Sequence, residues 1–326
     1  MSRTLSDPAF TSYTLSRTAC PVLVFQTPHA KLKMSSRTPT FNTPPPLVHD
    51  SLISFPTPQI LLVTLNRTKD LNCINTRGHY ELDALYSWFD NEPSLRCAIL
   101  TGAGRAFCAG ADLKEWNSAN QSTSKTQKGG KEADSLSREA KERSMPPSGF
   151  GALSRRGGKK PIICAVNGIC FGGGCEMIIN ADMVVADEGA QFGLPEAKIG
   201  VVALAGALSR LVRTVGRQRA MEMALTGRPL KADEAKEWGL VNRVVGKGKS
   251  VEEAIKLAEM VVGNSPDSVI VSREGIKMGW EGIGAEEATR WTQEVWYKRM
   301  DKGENMKEGV KSFVEKRKPR WVPSKL

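Results

Sequence analysis

Histidine is scarce in this chain of 326 residues. There are three, His29, His49 and His79, all in the first quarter. None adjoins the chain's main glycine run, and no G-x-S-x-G elbow occurs, so serine–histidine or cysteine–histidine hydrolysis has little sequence support. The seven cysteines form no C-x-x-C pair, and their number is odd. That argues against a disulfide framework or a zinc site, and suits a reducing compartment. A G-x-x-x-x-G-K-[ST] loop is missing, and no G-x-G-x-x-G stands before a suitably placed acid. No apolar run reaches the roughly 18–20 residues of a membrane span. The net charge of +11 lacks a nucleic-acid motif to go with it. Phosphate groups on a small ligand, or a solvated basic surface, account for it equally well.

What is present is a soluble globular composition, 40% hydrophobic and 25% charged. Residues 1 to about 55 are rich in Ser, Thr and Pro, including Thr43-Pro44-Pro45-Pro46, and read as a disordered extension (1–55). Met34 lies inside it, and a start there leaves the folded part untouched. Order is expected from the strand Gln59–Asn66, followed by the basic loop Arg67-Thr68-Lys69-Asp70. A helix follows over Thr76–Asp90, with Tyr80, Leu82, Leu85, Trp88 and Phe89 on its apolar stripe. Cys97–Thr101 is a strand entering a first glycine-bearing turn. The polar stretch 118–160 reads as an insertion or lid, with a helix over Glu132–Arg143. Later come strands at Ala181–Ala186 and Leu240–Val245, and helices over Leu204–Leu225, Asp233–Trp238 and Val251–Val262. Further helices are expected over Asp267–Met278, Glu286–Met300 and Asn305–Lys318. Strands alternate with helices early and helices dominate late, which is an α/β core (56–262) with an appended helical region (263–323).

The chemistry concentrates in one stretch. The apolar run Pro161–Val166 leads into Asn167-Gly168-Ile169-Cys170-Phe171-Gly172-Gly173-Gly174-Cys175-Glu176, and a helix follows. Glycines let a backbone approach a ligand and offer bare N–H groups, and a helix start adds its dipole. Alone this is only a tight turn beside a carboxylate. Further motifs accompany it: Asn66-Arg67-Thr68-Lys69, Gly104-Arg105-Ala106-Phe107-Cys108-Ala109-Gly110-Ala111-Asp112-Leu113, Phe192-Gly193-Leu194-Pro195-Glu196 and Phe313-Val314-Glu315-Lys316-Arg317-Lys318. In this order, over about Gln59–Trp321, they resemble the enoyl-CoA hydratase/isomerase (crotonase) family.

The resemblance implies a spiral of ββα units followed by helices that make trimer contacts, in a homotrimer or hexamer. It implies an acyl-CoA substrate, with coenzyme A arriving as part of that substrate and no separate cofactor or metal. The amides of Ala111 and Gly173 are then the oxyanion hole for the thioester carbonyl. Glu176 and Glu196 are the catalytic pair of a hydratase, with Glu176 activating water and Glu196 handling the α-proton. Arg67, Lys69, Asp112, Leu113, Lys114, Phe313 and Lys316 fall at CoA-binding positions. Double-bond isomerisation needs only one such base and stays open, as does a CoA- or RNA-binding protein without turnover. The stretch Gly200–Leu208 departs from the family's glycine-rich loop, being more apolar, and the 118–160 insertion is longer than usual. The terminal Ser324-Lys325-Leu326 matches a receptor-read peroxisomal address. A peroxisome, its import receptor and fatty acid metabolism are therefore also expected, with branched amino-acid breakdown and a specialised-metabolite pathway left open.

Overall fold

The computed structural model describes residues 40–118 and 145–326. Its frame is a six-stranded sheet in the order β1-β2-β3-β5-β7-β10. The strands are β1 (Ser51–Thr57), β2 (Ile60–Leu65), β3 (Cys97–Gly102), β5 (Ile162–Val166), β7 (Met183–Asp187) and β10 (Arg243–Val245). Only β1 runs antiparallel; the others are parallel neighbours. A second sheet has the order β4-β6-β8-β9, from β4 (Ala106–Cys108), β6 (Ile169–Phe171), β8 (Gln191–Gly193) and β9 (Leu230–Lys231). Here β4, β6 and β8 are parallel and β9 is antiparallel. The chain leaves β3 for β4, β5 for β6 and β7 for β8, stepping each time from the large sheet to the small one. This is the expected ββα spiral.

Both faces of the large sheet are buried, as parallel sheets require. Leu61, Val63, Leu100 and Cys164 face the main core, where α1 (Thr76–Asn91) contributes Leu82, Leu85 and Phe89. Ile60, Ile99 and Ile163 face the opposite way, against Ala254, Ile255 and Ala258 of a later helix, Ser250–Val262. Period-two alternation sorts the two sets.

Several expectations need correction. Order begins well before Gln59. Phe41 stacks on Phe55 and Trp88 at ring separations of 4.7 and 5.2 Å, and β1 starts at Ser51. The proline-rich composition concealed an edge strand, the one place in a sheet where Pro56 is tolerated; a register shift between Ser54 and Thr57 brackets it. Residues 1–39 lie outside the described residues. So does the helix expected over Glu132–Arg143. The end of the supposed polar insertion is core instead, with Phe150, Ala152, Leu153 and Ser154 all buried. Arg156 and Lys160, also buried, close on Asp90 and on the carbonyls of Phe89 and Glu92.

The helix expected over Leu204–Leu225 is two. With α2 assigned to Gly173–Ile179, these are α3 (Ala207–Val215) and α4 (Arg217–Thr226), broken at Gly216. Later helices among the described residues are α5 (Ala232–Glu237), α6 (the Ser250–Val262 helix), α7 (Pro266–Trp280), α8 (Ala285–Trp291) and α9 (Glu304–Val314); residues 113–118 and Lys298–Met300 are also helical. A π-helical turn, Thr292–Tyr297, follows α8.

Candidate active site

Three neighbouring parallel strands, β4, β6 and β8, end side by side at one edge of the small sheet. The carboxyl ends of parallel strands are where α/β folds build ligand sites. Beyond β4 comes Ala111, beyond β6 come Gly173 and Glu176, and beyond β8 comes Glu196. Residues far apart in the chain are gathered by the sheet alone.

The first turn is held as a short ladder. Ile74 N–H donates to the Gly110 carbonyl at 3.0 Å, and Asp112 N–H donates to the Ile74 carbonyl at 3.2 Å. In extended chain, successive peptides point to opposite sides. Gly110 and Asp112 face Ile74, so the Ala111 N–H points away from it and finds no partner among the described residues.

The second turn is close by. A methyl built on Gly110 would stand 3.4 Å from the Gly173 nitrogen, and one built on Gly172 would stand 3.2 Å from Glu196 Oε1. Gly172 has φ 53° and ψ −127°, a conformation that only glycine adopts without strain. Gly173 opens α2, whose first-turn amides have no helical acceptor. A side chain there would meet the Phe150 ring at 2.5 Å, so the ring packs directly on the Gly173 backbone.

The carboxyls lie in different surroundings. Glu176 is buried, 4% exposed. Its Oε2 accepts from the Ala207 amide at 3.0 Å, filling the place of the side-chain cap that α3 lacks. Burial, opposed by that amide and reinforced by the charge of Glu196, raises its pKa from 4.5 to about 7. Glu196 sits in the 3₁₀ turn Pro195–Ile199, and burial raises its pKa as well. Its Oε2 is buried with no hydrogen-bond partner among the described residues. A half-buried carboxyl with an unused oxygen, near the buried Glu176, is the arrangement needed to hold a small polar reactant.

Of the residues expected at CoA positions, Arg67, Asp112 and Lys114 cluster beside the first turn. Arg67 reaches Asp112 at 2.7 Å and Asp70 at 3.3 Å, and Lys114 reaches Asp70 at 2.9 Å. Lys69 and Leu113 are exposed nearby in sequence. Phe313, 86% exposed, and Lys316 belong to the C-terminal region, and no contact ties them to the two turns among the described residues. In the Gly200–Leu208 stretch, Ala203, Ala205 and Ala207 face inward while Val202 and Leu204 face outward. The terminal residues are docked: Lys159 Nζ donates to the Leu326 carbonyl at 2.7 Å, and Lys325 pairs with Glu304.

The sequence reading overlooked His79 and the segment around Phe150. His79 lies edge-on to Phe150, and its Nδ1 accepts from the Gly151 amide at 3.0 Å. Burial lowers its pKa to about 4, so the ring is neutral with its proton on Nε2. A signal existed: His79 shares the buried stripe of α1 with Leu82 and Tyr86, at helical spacing. Among the described residues no His, Cys, Asp or Glu cluster is able to hold a metal ion, and no helix is long and apolar enough to cross a membrane.

The sequence profile of the family described as enoyl-CoA hydratase/isomerase matches residues 57–323. The chain belongs to this family. Among similar proteins, mevalonyl-coenzyme A hydratase SIDH of Beauveria bassiana is 56% identical over 288 residues, spanning 88% of this chain and all of that protein. Mevalonyl-coenzyme A hydratase sidH of Aspergillus fumigatus is 50% identical, spanning 86% of this chain and 98% of its own length. The crystal structure of enoyl-CoA hydratase from Mycobacterium tuberculosis H37Rv superposes with TM-score 0.73 at 32% identity, covering 84% of this chain and 99% of that one. The enoyl-CoA hydratase/isomerase family thus accounts for the spiral and the gathered strand ends, and it makes the chain an enzyme of hydro-lyase type.

Proposed function

We propose that this chain adds water reversibly across the C2–C3 double bond of a 2-enoyl-CoA thioester, using Glu176, Glu196 and the Ala111 and Gly173 amides. The observation that carries the reading is the convergence, at three adjacent strand ends, of two amides without a partner among the described residues, the buried Glu176 and the half-buried Glu196. In the hydration direction the Glu176 carboxylate takes a proton from water, and the water oxygen bonds to C3. The C2–C3 π electrons move toward the thioester carbonyl, whose oxygen takes up negative charge between the two amides. Protonated Glu196 then delivers its proton to C2, and the carbonyl re-forms. The pair starts and ends with one proton, shared between two coupled carboxyls. Preorganised amides of this kind are each worth about 100- to 1000-fold in rate.

The relatives at 56% and 50% identity support a mevalonyl thioester as the hydrated form, which makes its acyl group branched and hydroxylated. The CoA phosphates are assigned to Lys69, with Lys114 near the adenine pocket and Leu113 beside it. Phe313 and Lys316, exposed here, serve a neighbouring subunit in a trimer or hexamer. No separate cofactor is required. Ser324-Lys325-Leu326 supports import into peroxisomes by the tripeptide receptor. The test is to incubate the enzyme with mevalonyl-CoA and with straight-chain 3-hydroxyacyl-CoA esters, following the absorbance of the conjugated enoyl thioester. Turnover preferring the branched ester supports the assignment. Conversion of 3-enoyl to 2-enoyl esters with no water exchange would assign the chain to isomerisation instead.

A further inference from the structure

Arg67 falls where the family resemblance expects a phosphate contact, yet its guanidinium is turned inward. Nη1 donates to the Cys73 carbonyl at 2.7 Å, and Nη2 donates to Asp112 Oδ2 at 2.7 Å. The Arg67 side chain is 18% exposed and that of Asp112 is 11% exposed. The two acceptors flank the ladder that holds the first turn: Cys73 precedes Ile74, and Asp112 follows Ala111. The other oxygen of Asp112 is committed too, accepting from the amides of Lys114 and Glu115 at 3.1 and 3.4 Å. One planar fork therefore clamps both sides of the short ladder from which the Ala111 N–H projects. An ammonium is a point charge and cannot span two acceptors in this fixed geometry.

We infer that Arg67 is a positioning residue: through Asp112 and Cys73 it fixes the direction of the Ala111 amide, and it does not ligate a CoA phosphate. The inference rests on the reading of Ala111 as an oxyanion donor in thioester hydration. Oxyanion donors act only when aimed at the place where charge develops, and a misplacement on the order of 1 Å costs about 100-fold. Releasing the clamp therefore lowers turnover while leaving substrate affinity nearly intact.

The test measures kcat and KM for a 2-enoyl-CoA and for the same acyl group on pantetheine, which carries no nucleotide phosphates. The variants are Arg67→Met, Arg67→Lys, Asp112→Asn and the double variant Arg67→Met/Asp112→Asn, with Tm recorded for each. Asp112→Asn keeps an oxygen for the amides of Lys114 and Glu115, and so supplies a folded variant should Arg67→Met fail to fold. Expected is a roughly 10- to 100-fold fall in kcat, equal on both thioesters, with KM little changed. The double variant is expected to be no slower than the slower single one, and Arg67→Lys to recover only part of the loss. A raised KM confined to the CoA ester would overturn the inference in favour of phosphate binding. An unchanged kcat in Asp112→Asn would overturn it as well. A wild-type chain inactive on both thioesters would instead overturn the functional reading beneath it, and this inference with it.

Discussion

Replacing Glu176 by Gln is expected to stabilise the fold at alkaline pH while abolishing hydration. Glu176 is almost fully buried, and its hydrogen bonding is to neutral backbone amides, chiefly that of Ala207, which a Gln oxygen accepts equally well. What the substitution removes is a buried charge. The side chain ionises at about 7 in the fold against 4.5 ordinarily. Between those values the folded state holds a proton that the unfolded state has released, so stability falls as pH rises. At about 1.4 kcal/mol for each pH unit, the cost reaches about 3 kcal/mol by pH 8 and is well under 1 kcal/mol at pH 4.5. Loss of this charge also removes repulsion with Glu196. Urea unfolding of wild type and Glu176→Gln at both pH values measures the difference. The variant's advantage should grow by about 2–3 kcal/mol from pH 4.5 to 8, with hydration lost throughout. A stability difference independent of pH would refute the account of Glu176 as a carboxyl held at the cost of folding energy.

Three other outcomes are expected. His79 has the opposite sign: its pKa falls from 6.5 to about 4 on burial, so wild-type stability drops as pH falls through that window. His79→Leu should lose that pH dependence in the same urea assay, and an unchanged slope would contradict it. Gly173→Ala drives a methyl to 2.5 Å from the Phe150 ring. It should cost about 1–3 kcal/mol in stability and lower kcat about 100-fold or more, read by denaturation and turnover. Deleting Ser324–Leu326 should leave purified enzyme active and a fluorescent fusion cytosolic; a fusion still in peroxisomes would contradict the targeting role.

Apart from β1, the large-sheet strands were legible because apolar β-branched runs bounded by turns suffice to mark them, as in Ile162–Val166. The two glycine turns and both glutamates were picked out because several short motifs, taken together, resemble one family. Their adjacency depends on β4, β6 and β8 pairing, and strands of three residues give no periodicity to read. Arg67 shows the harder limit. A basic residue in a loop looks alike whether it faces phosphate or Asp112, and only the fold reveals the partner. The Phe150–Ser154 segment was misread because glycines and charges surround it, although its own residues are apolar or small. Pro56 and the proline run before it likewise hid an edge strand packed through Phe41 and Phe55.

The most direct measurement is the rate of loss of 2-enoyl-thioester absorbance by wild type, Glu176→Gln and Glu196→Gln, each confirmed folded. The wild type should hydrate the thioester, and each single variant should lose most of that rate, because water activation and α-protonation need both carboxyls. Near-wild-type hydration in either variant would contradict the paired-carboxyl account.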